Sequence, residues 1–209
     1  MSRACAQVFG EDCGVGTRSA VGVGSLPMNI PFEVELLLEV DAPATAPGPA
    51  LAMEAEAKVA SMGLSIPPAP KPLGLYRPAM ELRKGPGGAT LLYVSGHGPM
   101  HHDGSYTRGK VGTSKMSAEE AYASARVTGL AVLASLRGAL GSLNRVRRVV
   151  KSLAMVNAVP EFEGHIGVAN GYSELMRDVS ARARVPARLQ RRWRDRASTR
   201  QDQYRRGTA

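Results

Sequence analysis

Three histidines and an aspartate, His97, His101, His102 and Asp103, crowd one short stretch, and imidazole with carboxylate is a donor set that zinc accepts. No helical or strand spacing fixes them, and the stretch from Gly96 to Gly112 is rich in glycine, so an exposed turn accounts for them and no metal is expected. Cys5 and Cys13 form no Cys-x-x-Cys pair and have no histidine beside them in sequence, which leaves them without a zinc-binding or nucleophilic role. Arg145, Arg147, Arg148 and Lys151 could meet RNA, yet no aromatic residue interleaves them, and a charge run at a strand start is usually a solvated face. Arg18 and Glu33 remain. A guanidinium presents a fork to a carboxylate and a carboxylate serves as a general base; the plainer reading of the same two residues is a weak cross-strand ion pair.

Arg18 lies in the run Arg18 to Gly24, where Ser19, Val21 and Val23 alternate with Arg18, Ala20, Gly22 and Gly24; the small residues on its own face would leave space beside it. Glu33 lies in Phe32 to Val40, where Phe32, Val34, Leu36, Leu38 and Val40 alternate with Glu33, Glu35, Leu37 and Glu39, the pattern of a strand with one buried face. With the Pro-bounded connection from Ser25 to Pro31 between them, the two strands read as a hairpin-like pair. Asp41 to Leu51 has linker composition, Met53 to Met62 suits a short helix, Pro67 to Pro72 is extended, and Thr90 to Ser95 is a short strand.

The clearest element follows. Ser117-Ala118-Glu119-Glu120 is a capping box opening a helix with Ala121, Ala125, Thr128, Val132, Leu136 and Leu140 on one stripe, and Gly141 stops it. Val146 to Val156 is an apolar strand, and a second helix after Pro160 carries Ile166, Ala169, Tyr172, Leu175 and Val179. Strand, helix, strand, helix implies an α/β domain with a single sheet covered by two helices.

The charge balance of this 209-residue chain, 27 basic to 18 acidic residues with a pI near 10, points at first to a polyanionic partner. Its distribution removes that inference. The last thirty residues, 180–209, hold ten arginines against Asp195 and Asp202, net +8, and the other 179 residues carry 17 basic and 16 acidic side chains, net +1. With 44% apolar residues the chain can bury a core. No signal-peptide core opens it and no run of about 18 apolar residues crosses a membrane, so a cytoplasmic protein is expected.

Together Tyr93-Val94-Ser95-Gly96, the capped helix, the strand end Met155-Val156-Asn157, Val168-Ala169-Asn170-Gly171-Tyr172, and Arg18 to Val23 with Ser25-Leu26-Pro27 resemble the Rid family. These are the reactive-intermediate imine deaminases, also called YjgF-like or liver perchloric-acid-soluble endoribonuclease proteins. The resemblance covers roughly residues 7–40 and 53–179, in an order unlike the family's: the strand pair that closes a family domain comes first here, in 7–40, followed by a linker, 41–52, and then the family's start and centre, 53–179. That order is a circular permutation, or the tail of one copy joined to the head of another.

The resemblance implies a chorismate-mutase-like mixed sheet whose last two strands come from the N-terminal segment. It also implies hydrolysis of reactive 2-imino acids without a cofactor, and a homotrimer with pockets between subunits. Arg18 matches the family's carboxylate-binding arginine and Glu33 the acid associated with the catalytic water, while Tyr76, Ser95, Gly96 and Asn170 match pocket positions. The partner so implied is a small 2-imino acid, with nucleic acid and membrane not expected. The alternative is a non-catalytic small-metabolite or RNA-binding member, or the inactive product of a damaged tandem gene. Dropping one nucleotide from the codons of Gln190 to Asp195 permits Ser-Ala-Val-Gly-Val, like Ser19 to Val23, so the arginine-rich tail from about Ser180 reads as the family's last strands in a shifted frame, expected to be disordered.

Overall fold

A computed structural model describes residues 16–41, 54–82 and 90–180; Cys5, Cys13, the linker and the arginine-rich tail lie outside these residues. The alternating run becomes strand β2 (Phe32–Val40), with Phe32, Val34, Leu36, Leu38 and Val40 buried and the glutamates on the other face. It lies in the middle of a five-stranded mixed sheet. Here β1 is Thr17–Val23, β3 Ala79–Leu82, β4 Thr90–His97 and β5 Val146–Asn157, and the strand order is β1-β5-β2-β4-β3. Only the β1–β5 pair is parallel.

The hairpin expected from β1 and β2 does not form, because β5 lies between them: Arg18 pairs with Ser152, and Ser152 in turn with Leu36. In the connection between them Met28 and Asn29 both take φ of 55°, a left-handed turn at the end of β5. Hydrogen bonds from Asn157 N to Pro31 O (3.0 Å) and from Ala158 N to Val23 O (3.3 Å) fasten both sides of this connection.

Three helices complete the fold: α1 (Glu54–Ser61), α2 (Ala118–Leu140) and α3 (His165–Ser180). The capping box of α2 is present in both directions, Glu120 N to Ser117 Oγ and Ser117 N to Glu120 Oε2, and Gly141 ends the helix at φ 78°. All six residues of its expected stripe are buried. In α3 the buried stripe is Val168, Ala169, Tyr172, Leu175, Met176 and Val179; Ile166 is 66% exposed, since it stands in the first turn before the helix meets the sheet. The weakly periodic α1 is held by a clamp in which the Glu56 carboxylate accepts from Arg137 (2.6 Å) and from Leu143 N (2.9 Å).

Helices α2 and α3 touch backbone to backbone. A Cβ on Gly171 would overlap the Tyr122 carbonyl oxygen and come within 3.3 Å of Arg126 N, and neither backbone atom can yield as a flexible side chain would. Gly171→Ala should therefore cost about 2 to 3 kcal/mol and lower the melting temperature by several degrees. A thermal melt within a degree of wild type would contradict this packing.

Candidate functional site

Glu33 projects from the sheet face opposite the helices, next to a shift of register between β2 and β4 at Val34 and Leu36. Its carboxylate lies against Gly96 so closely that a Cβ there would overlap Oε1. Only glycine leaves this space. The carboxylate opens on a cavity of about 390 Å³ that Tyr76, Ser95, Gly96, His97 and Tyr106 also line. Among the described residues no hydrogen bond or ion pair reaches it; burial, with a smaller push from Glu35, raises its pKa above the ordinary carboxylate value.

The neighbours of Glu33 hold one another in place. The Ser95 hydroxyl donates to Arg77 O (2.7 Å) and the Ser95 amide to Pro78 O (3.0 Å), which ties the segment carrying Tyr76 to β4. Behind them His97 is buried, with Nδ1–H donating to Ser95 O and Nε2 accepting from the Ser135 hydroxyl, both at 2.7 Å. Burial lowers its pKa, so the ring stays neutral in this tautomer. The exposed turn expected over 96–112 is present at 101–105, but His97 is not in it, and Met100 and Val111 are buried too, where Met100 pairs with Tyr106 and Val111 with Ala158. Tyr106 carried no signal in sequence.

Arg18 stands elsewhere. It projects from β1 on the helix-covered face, where Nη1 donates to Ser173 Oγ (2.6 Å) and Nη2 to Asn170 Oδ1 (3.1 Å), both on α3. Burial draws its pKa down, and no carboxylate pairs with it among the described residues. Arg18 and Glu33 thus lie on opposite faces of the sheet with β5 between their strands, so the cross-strand ion pair does not exist. Nor is the space expected beside Arg18 open: Ala20 packs on the core, and a Cβ on Gly22 would overlap the His165 ring. The residues singled out from the sequence fall into two groups, Glu33, Tyr76, Ser95 and Gly96 in one, Arg18 and Asn170 in the other.

The remaining polar clusters are accounted for locally. His101 Nε2 meets Thr107 Oγ1 (2.8 Å), His102 Nε2 meets Ser65 O (3.2 Å), and Asp103 accepts from Ser105 N (2.9 Å); no group of three His, Cys, Asp or Glu among the described residues is placed to hold a metal ion. The basic residues at the start of β5 meet acids from other strands: Arg147 (3.2 Å) and Arg148 (2.8 Å) pair with Glu39, and Arg145, just before the strand, with Glu81 (3.1 Å). Lys151 donates to Ser19 Oγ. Among the described residues no helix is long and apolar enough to cross a membrane.

The fold has known relatives. A crystal structure of a candidate endoribonuclease from Shewanella oneidensis superposes with a TM-score of 0.51 at 24% identity, over 60% of this chain and 78% of that one. A protein of unknown function from Agrobacterium tumefaciens gives 0.49 at 28% identity, over 65% and 82%. The first likeness shows the fold, a mixed sheet with helices on one face, consistent with the chorismate-mutase-like architecture. Protein TCP17 of Trypanosoma cruzi is 41% identical over 88 residues, 42% of this chain and 54% of that protein. The chain thus spans about half the length of the curated relative it matches. No family model matches the chain.

Proposed function

We propose that the protein hydrolyses 2-imino acids to 2-oxo acids and ammonia, as a cofactor-free cytoplasmic enzyme of the Rid type. The observation that carries this reading is the Glu33 carboxylate: half-buried, unpaired, raised in pKa and facing a cavity of small-ligand size beside the Gly96 backbone. Such a group is a general base poised for water. It takes a proton from a water molecule as the oxygen attacks the C=N carbon and passes that proton to the imine nitrogen, which leaves Glu33 ionised again. The resulting carbinolamine then loses ammonia, with the hydroxyl proton passing back through Glu33. One water is consumed and no electrons are transferred.

The substrate carboxylate needs a cation; Lys71 lines the cavity, while Arg18, the guanidinium that the resemblance assigns to this role, faces the other way in the same chain. In the proposed assembly Arg18 and Asn170 of a neighbouring subunit meet the Glu33 cavity, so that the two groups form one site between chains. Two features favour this. Arg18 is a held guanidinium with no acidic partner among the described residues. The uncovered sheet face carries Val21, Met80, Leu82 and Tyr93, each 40 to 53% exposed, with Leu37 and Leu91 between them, an apolar patch suited to another copy. An RNA-cleaving activity, which the description of the Shewanella protein would suggest, finds less support, because Arg145, Arg147 and Arg148 are matched by Glu81 and Glu39.

The deciding experiment compares 2-iminopropanoate hydrolysis by wild type and Arg18→Ala. Loss of a charge-assisted pair to the substrate should lower kcat/KM about a hundredfold. Equal rates remove the enzyme reading in this form.

A further inference from the structure

The Glu33 cavity is lined mostly by apolar side chains. Lys71 also lines it, while Pro27, Met28, Ile30, Leu73 and Pro78 give it an apolar wall, and at about 390 Å³ it is far larger than 2-iminopropanoate requires. Its apolar wall is also built at a cost. Met28 and Asn29 are the non-glycine residues at positive φ among the described residues, both 55°, and backbone of this kind persists only where its surroundings hold it. Here they do. Fully buried Asn157 donates through Nδ2 to Asn29 Oδ1 (3.0 Å) and Ile30 O (3.1 Å), Gly109 N donates to Asn29 O (2.8 Å), and Ile30 N to Pro27 O (3.2 Å). This bracing keeps a flexible thioether in the cavity wall, where it can mould to apolar groups.

From this juxtaposition we propose that the cavity selects 2-imino acids with bulky apolar side chains, such as the leucine-derived imine, over the alanine-derived one, and that Met28 on its braced turn is the specificity-determining residue. The proposal rests on the hydrolase reading for its reaction and on the cavity for its selectivity. Pocket contacts with a few extra carbons are worth on the order of tenfold or more in kcat/KM. The imine nitrogen, carboxylate and water meet the Glu33 end, and the side chain lies along Met28 and Leu73.

Two measurements on the full chain test it separately. In the first, imines generated in situ from leucine and from alanine are compared as substrates; wild type should favour the leucine-derived imine by at least about tenfold. In the second, calorimetry follows binding of the stable products, 2-oxo-4-methylpentanoate and pyruvate, and the larger acid should bind about tenfold more tightly or better. Met28→Asn, whose new residue tolerates the left-handed turn, should erase both preferences. Should that variant fold poorly, Leu73→Gln, at a position 64% exposed, should reduce them instead. Hydrolysis of both imines at equal rates overturns the proposal and leaves the hydrolase reading intact. Selective binding of the larger oxo acid without hydrolysis of either imine removes the hydrolase reading and keeps the selectivity. Binding of neither acid, or tighter binding of pyruvate, overturns the proposal.

Discussion

Glu33→Gln should give a folded protein that hydrolyses 2-imino acids at least about a hundredfold more slowly than wild type. The amide has nearly the shape of the carboxylate and fits the space that Gly96 leaves, but it cannot take a proton from water. The pH dependence follows from the same environment. Burial and Glu35 raise the pKa of Glu33 above 4.5, so the wild-type rate should fall as pH drops through that raised value, where the base becomes protonated. Stability runs the other way. Between the unfolded and folded pKa values the native state holds the proton and the unfolded chain does not, so stability declines as pH rises through this window and the charge at neutral pH is a cost. The Gln variant lacks that cost and should melt at or above the wild-type temperature at pH 7. Gly96→Ala reaches the same site by another route, since its methyl group displaces the carboxylate without changing its chemistry, and it too should be nearly inactive. Loss of activity in Glu33→Gln together with a lower melting temperature would assign Glu33 to the scaffold instead.

The elements whose signals are local were legible in the sequence, and those that depend on a distant strand were not. Glu33 and its alternating neighbours declare one buried face without knowledge of what covers it, and Ser117 with Glu120 closes a capping box within four residues, so β2 and α2 were readable. The pairing of β1 was not. Its partner β5 follows more than a hundred residues later, and nothing between β1 and β2 announces that a distant strand inserts between them. The short β3, Ala79–Leu82, carries four residues of unremarkable pattern and exists because β4 offers it an edge. His97 shows the same limit from the side of chemistry. Its neighbours in sequence suggested an exposed turn, while its ring finds Ser135 on α2, a contact that only the packed fold provides. The family resemblance thus nominated Arg18 and Glu33, but their placement on opposite faces came from the strand order.

That opposition makes mixed subunits the sharpest test of how the site is assembled. Arg18→Ala and Glu33→Gln should each be nearly inactive alone, and if each site draws Arg18 from one chain and Glu33 from the next, a mixture should recover activity. When equal amounts are unfolded and refolded together, chance assembly into a closed head-to-tail ring gives about a quarter of the sites both intact residues, so about a quarter of wild-type activity should return. Simple addition of the two folded variants, without exchange of subunits, should return almost none. Within one chain Arg18 and Glu33 do not meet, because the Arg18 guanidinium is held to Ser173 and Asn170 on the helix side while Glu33 opens on the far side of the sheet. Recovery near a quarter would join the two groups in one site and give the exposed Val21, Met80, Leu82 and Tyr93 a second copy to cover them. Refolded mixtures as inactive as their parents would mean that Arg18 and Glu33 never meet, and the shared site would have to be abandoned.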